Sequence, residues 1–88
     1  MRLAYEVHIG INRFDPTESR EEAMQQIETA GHGMLLSLFE EEVFEPFPIT
    51  KMRWRSSAGW VLKDGQWYAI EMHGGGDGSW PVKREEVG

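Results

Sequence analysis

Leu3, Tyr5, Val7, Ile9 and Ile11 alternate with Arg2, Ala4, Glu6, His8 and Gly10. A period of two held this long suits an extended strand with one buried face, so the chain has to supply a sheet and something to cover it. There is no cysteine among the 88 residues, which removes disulfides and thiolate zinc sites as staples for so small a domain. What remains to build a core is a 40 % apolar fraction that includes four Trp, four Phe and two Tyr, enough for a single domain near the lower size limit.

Two helix starts come after the first strand, Asp15-Pro16-Thr17-Glu18 and Ser19-Arg20-Glu21-Glu22. Each sets a capping acceptor three residues before a glutamate. Met24, Ile27, Gly31, Met34, Leu35, Leu38 and Phe39 then keep helical phase, with Ala23 and Ala30 beside them. The phase runs unbroken through Gly31-His32-Gly33 and predicts one helix over residues 19–42, bent at the glycines; in the other reading Gly31 caps a first helix and a second begins near Gly33. Glu45-Pro46-Phe47-Pro48 ends the helical region.

Beyond it Thr50, Met52 and Trp54 alternate with Lys51, Arg53 and Arg55, which predicts a strand. Residues 56–59 read as a turn, and residues 60–62 and 66–72 as strands joined by Lys63-Asp64-Gly65. A two-residue Asp64-Gly65 loop pairs Leu62 with Trp67, and a three-residue loop pairs Leu62 with Gln66. The second gathers Trp60, Leu62, Tyr68, Ile70 and Met72 on one face, as a one-sided sheet requires, and leaves Val61, Trp67, Ala69 and Glu71 on the other. Residues 73–78 read as a loop. The expected fold is α+β in the order β-α-β-β-β, with one helix, bent or broken, packed on a small, mainly antiparallel four-stranded sheet. It occupies residues 1–80, with 81–88 as a flexible C-terminal tail.

Charge is divided unevenly along the chain. Between Asp15 and Glu45 nine acids face Arg20 alone, a net −8, while residues 1–14 and 46–88 each carry +1. A negative surface of this kind favours association with positive partners. Glu40, Glu41 and Glu42, with Glu45 just beyond, fall at the C-terminal end of the predicted helix, where exposed carboxylates oppose the helix dipole at about 0.3–1 kcal/mol apiece. Pairing with Lys51, Arg53 or Arg55 offsets this internally, or a cationic partner offsets it externally; a solvated patch is the plain alternative. The expected partner-binding residues are therefore Glu40, Glu41, Glu42 and Glu45, with Phe44 and Phe47 as apolar anchors at the rim. Lys51, Arg53 and Arg55 share the predicted outward face with Trp67, and a basic face with an aromatic platform holds single-stranded nucleic acid. The plainer reading pairs these bases with Glu6 and Glu71 on neighbouring strands.

Catalytic and metal motifs are not evident. His73-Gly74-Gly75-Gly76 resembles an esterase oxyanion loop, but the Gly-x-Ser-x-Gly elbow that would accompany it is missing. His8, His32 and His73 lack ligand spacing, and Asp77 offers one carboxylate where a calcium loop needs several. A non-enzyme without metal or cofactor is expected. The first residues alternate as a strand does, unlike the apolar run of a signal peptide, and no segment approaches the roughly 20 apolar residues of a membrane span, so a cytoplasmic location is expected. Homodimerisation through the exposed sheet face or an edge strand is a further expectation.

In size, acidity and inferred β-α-β-β-β order across about residues 2–73, the chain resembles small phage-encoded inhibitors, including anti-CRISPR proteins. Small immunity proteins and antitoxins are similar in character. These families share no general motif, so no residue roles carry over. The resemblance implies a stoichiometric inhibitor, acting in the host-cell cytoplasm, whose carboxylates occupy a basic nucleic-acid site on its target. The basic strand at residues 51–55 departs from such a plan.

Overall fold

The computed structural model describes residues 2–44, 50–72 and 78–88, Thr50 by its backbone alone. Along the chain lie β1 (Leu3–Ile9), β2 (Asn12–Arg13), α1 (Arg20–Ala30), β3 (Gly33–Phe44), β4 (Thr50–Lys63), β5 (Gln66–Ile70) and β6 (Ser79–Val82), with a 3-10 turn after them at Arg84–Glu86. The strands form one antiparallel sheet in the order β2-β1-β3-β4-β5-β6, with α1 packed on it. This is the α+β fold of one helix on an antiparallel sheet that the sequence predicts, but with six strands in place of four. Among the described residues no helix is long and apolar enough to cross a membrane.

The second of the two candidate helix starts is the one used. Ser19 Oγ accepts the Glu22 N–H at 3.2 Å, and Thr17 Oγ1 accepts the Ser19 N–H at 3.2 Å. The earlier candidate instead runs beside β1, where Tyr5 and Thr17 exchange backbone hydrogen bonds at 2.7 and 2.9 Å. The helix stops at Gly31, whose left-handed φ of 84° suits a residue without Cβ. Its N–H donates to the carbonyls of Ile27 at 2.9 Å and Glu28 at 3.2 Å, closing the last turn.

The single helix expected over residues 19–42 is corrected here, because residues 33–44 are a strand. The in-phase residues Met34, Leu35, Leu38 and Phe39 come from an apolar run that serves both faces of a central strand. Leu35 is buried beneath α1, and Leu38 is buried on the opposite side. A strand covered on both faces loses its alternation, and periodicity then fails to separate it from a helix.

The core lies between α1 and one face of the sheet. Ala23, Met24 and Ile27 from α1 meet Tyr5, Val7, Leu35, Trp60, Leu62, Trp67 and Ala69. The Asp64-Gly65 hairpin sets this face. Both residues have positive φ, 50° and 76°, so the loop has two residues and pairs Leu62 with Trp67. The three-residue loop expected from the sequence is thereby corrected: Trp67 and Ala69 face the core, while Tyr68 and Ile70 fall on the other side with Val61. Residues 56–59, expected as a turn, are part of β4. The β3–β4 register shifts between Ser37 and Leu38, whose partners are Ala58 and Ser56. Ser57 is the extra residue, and its hydroxyl donates to the Ser37 carbonyl at 3.2 Å. Ile11, the last residue of the alternating run, lies beyond β1 and is fully exposed. The loop expected over residues 73–78 lies outside the described residues apart from Gly78.

The C-terminal residues, expected as a free tail, close the core. β6 pairs with β5, and Val87 is 1 % exposed within the core cluster. Arg20 Nε donates to the Val87 carbonyl, and Arg20 Nη2 donates to the Arg84 carbonyl at 2.9 Å. Arg84 in turn forks onto α1, donating to both Glu28 oxygens at 2.9 Å and to Glu21 Oε2 at 3.0 Å. Those hydrogen bonds, ahead of the Arg84 charge, hold the Glu21 and Glu28 carboxyls below the ordinary glutamate value, against the opposing effect of desolvation.

Val87→Asp places an unpaired carboxylate in the core and is expected to lower the free energy of unfolding by more than about 2 kcal/mol; Ile11→Asp changes it by less than about 0.5 kcal/mol. Urea titration distinguishes the two, and equal midpoints would show that Val87 is not part of the core. Carboxyls with lowered pKa stabilise the fold above the ordinary glutamate value of 4.5, and that contribution is lost as pH falls through the lowered values. Urea midpoints should thus fall on acidification from about pH 7 to about pH 3, and fall by less in Arg84→Met.

Candidate functional site

β1 pairs with β3 only as far as Phe39, and β5 accompanies β4 only from Gly59 onward. Residues 41–44 and 50–57 therefore continue past their neighbours as a two-stranded arm. The molecule is correspondingly elongated, 49 × 28 × 25 Å. The alternation of side chains along a strand sorts the arm into two faces. Glu40 opposite Trp54, Glu42 opposite Met52 and Phe44 opposite Thr50 make one face; Phe39 opposite Arg55, Glu41 opposite Arg53 and Val43 opposite Lys51 make the other.

This arrangement divides the acidic triplet. Because Glu40–Glu42 stand in a strand, the expected conflict with a helix dipole does not arise. Glu41 points to the basic face, 3.1 Å from Arg55 Nη1. Glu40 and Glu42 share the opposite face, but Glu40 lies 3.4 Å from Arg2 Nη1 and is mostly covered. Glu42 is exposed and has no ion pair among the described residues. Phe44 stands beside it, 75 % exposed, with Met52 54 % exposed on the same face. Glu45 and Phe47 lie outside the described residues.

Three residues of this face were not singled out by the sequence: Arg2, Met52 and Trp54. The Arg2 guanidinium sits 5.2 Å from the centre of the Trp54 ring, where the ring quadrupole attracts it, and its Nε is 2.7 Å from Glu18 Oε1. Arg2 thus joins the approach to β1, the approach to α1 and the base of the arm. No sequence signal announces such a contact, because it depends on which strand lies beside β3. Met52 and Trp54 are visible in the alternation of β4, where the sequence assigns them to the apolar side.

The alternative nucleic-acid set is taken apart by the hairpin register. Lys51, Arg53 and Arg55 are exposed on the arm, whereas Trp67 is 4 % exposed in the core and is not available for base stacking. Glu6 does not pair with these bases, since β1 adjoins β3 and not β4. It is buried instead, with its Oε1 2.6 Å from His8 Nε2 and 2.9 Å from Arg13 Nε. Glu6, Arg13, Phe14, Asp15, Pro16, Leu38 and Trp54 surround a hollow of about 420 Å³ at the root of the arm. A wider groove of about 910 Å³ runs between the end of α1, β5 and the C-terminal turn. Among the described residues no group of three His, Asp or Glu side chains is placed to hold a metal ion.

If the two faces are independent, reversing charge has different costs on each. Glu42→Lys should leave the unfolding free energy within about 0.5 kcal/mol of wild type. Glu41→Lys, set against Arg53 and Arg55, should cost about 1 kcal/mol. Urea titration of both variants checks this, and a larger loss for Glu42→Lys would show that its carboxylate is engaged in the fold.

No protein-family model, curated protein or solved structure matches the chain.

Proposed function

We propose that this is a non-enzymatic protein-binding inhibitor, and that it engages a basic site on a nucleic-acid-handling partner through the arm face bearing Glu42, Phe44 and Met52. The observation that carries the reading is the placement of Phe44, 75 % exposed, and Met52, 54 % exposed, on one face of a two-stranded arm, beside a carboxylate that has no ion pair among the described residues. Large apolar side chains held out in water have no reason in the fold of the isolated chain, and desolvated apolar anchors supply most of the energy at interfaces. The adjacent Glu42 adds orientation and a faster encounter with a cationic surface. The resemblance in size, acidity and α+β plan to small phage-encoded inhibitors of the anti-CRISPR type extends the proposal to a protein of that class.

Capture of partners from a bacterial lysate, with and without nuclease, tests it when wild type is compared with Glu42→Lys/Phe44→Ser. A partner that survives nuclease and is depleted about tenfold or more by the double variant supports the reading, since tenfold corresponds to a loss of about 1.4 kcal/mol. A partner retained equally by the variant removes this face from function. Recovery that depends on nucleic acid would transfer the role to the Lys51, Arg53 and Arg55 face.

A further inference from the structure

β4 is paired with β3 from Thr50 to Leu62 apart from the bulge at Ser57, but no described strand flanks residues 51–57 on the side away from β3. Among the described residues no strand lies along that edge, and an edge of this kind offers backbone donors and acceptors as the template for adding a further strand. Its side chains alternate in kind. Lys51, Arg53 and Arg55 project to one face, and Met52, Trp54 and Ser56 to the other. Arg53 is exposed and makes no ion pair among the described residues.

We propose that the outer edge of β4 takes up an extended segment of a partner protein as an added strand. In that segment acidic residues beside Arg53 and Arg55 alternate with apolar residues beside Met52 and Trp54. This site shares Met52 with the Glu42 face, but it is formed by the backbone edge of β4 and does not require the partner proposed there.

The inner edge shows the chemistry that fits. There β3 sets Glu41 across from Arg53 and 3.1 Å from Arg55, and Glu42 across from Met52. An incoming acidic–apolar segment repeats on the outer edge what β3 does on the inner one. A second copy of this chain fits less well. Two β4 edges laid antiparallel oppose arginine to arginine, and like charges directly opposite destabilise a strand pair. Among the described residues the second copy's β3 leaves 41–44 open beyond β1, too short a stretch to cover the β4 edge.

A labelled peptide of about seven residues alternating Glu and Val, titrated with the full chain at low salt, probes the site. The expected result is a saturable anisotropy change that weakens at high salt. It should also weaken by about tenfold or more in Arg53→Glu/Arg55→Glu, and a peptide with Lys in place of Glu should not bind. Hydrogen exchange of the wild-type complex supplies a readout that no variant can confuse: alternate amides within residues 51–57 become protected when the peptide binds. Failure to bind at about 1 mM peptide, equal binding of the Lys peptide, or binding without protection in residues 51–57 would each overturn the proposal. So would concentration-dependent self-association that protects the same amides without peptide, which would make the occupant a second copy.

Discussion

The central strand β3 supports the rest of the molecule. It pairs with β1 on one side and β4 on the other, and its apolar side chains are buried on both faces near β1. A strand satisfied along both edges leaves its backbone groups hydrogen-bonded where water is excluded. Leu35 then gives α1 a surface to cover, and Leu38 gives the other face its own cover of side chains. Neither α1, an eleven-residue helix, nor the isolated β1 strand would hold its shape without that support.

The sequence announces the elements whose pattern is local. Alternation in β1 and β4 and the Ser19 cap each leave a signature that single residues explain. The turn at Asp64-Gly65 is also legible as a turn, although its register is not, because both alternatives give a plausible apolar face. β3 defeats the reading for a different reason. Burial on both sides replaces a period of two with an unbroken apolar run, and that run happens to continue the phase of α1. Gly31 carries the information that separates the two, since a left-handed cap ends a helix whatever residues come after it. At the candidate site, Glu42 is legible as an exposed acid, whereas the sequence alone reads Phe44 as a ring folded back onto the core, and its 75 % exposure follows from its place on the arm. Arg2 is not, because its contact with Trp54 requires knowledge of strand order.

The strong acidity of residues 15–45 is also less concentrated in three dimensions than along the chain. Arg84 draws Glu21 and Glu28 into one cluster, Arg2 approaches Glu18 and Glu40, and Arg55 meets Glu41. Bases from before β1, from the arm and from beyond β6 thus converge on acids between them in sequence. The uneven linear charge becomes a set of long-range ion pairs, with a few uncompensated carboxylates among them. Exposed pairs of this type contribute little each; their effect is to favour one arrangement of strands over others of similar apolar burial.

The buried Val87 bears on how the chain acquires its fold. A ribosome makes this residue after every strand of the sheet, yet it belongs to the same cluster as Tyr5 and Val7 from the first strand. The hydrogen bond from Arg20 to its carbonyl spans 67 positions. Contacts that remote raise the contact order, and loop-closure entropy must be overcome before they give anything back. During vectorial synthesis the nascent domain therefore remains incompletely cored until Val87 clears the exit tunnel, and the earlier strands wait with exposed apolar surface for a partner from beyond the last of them.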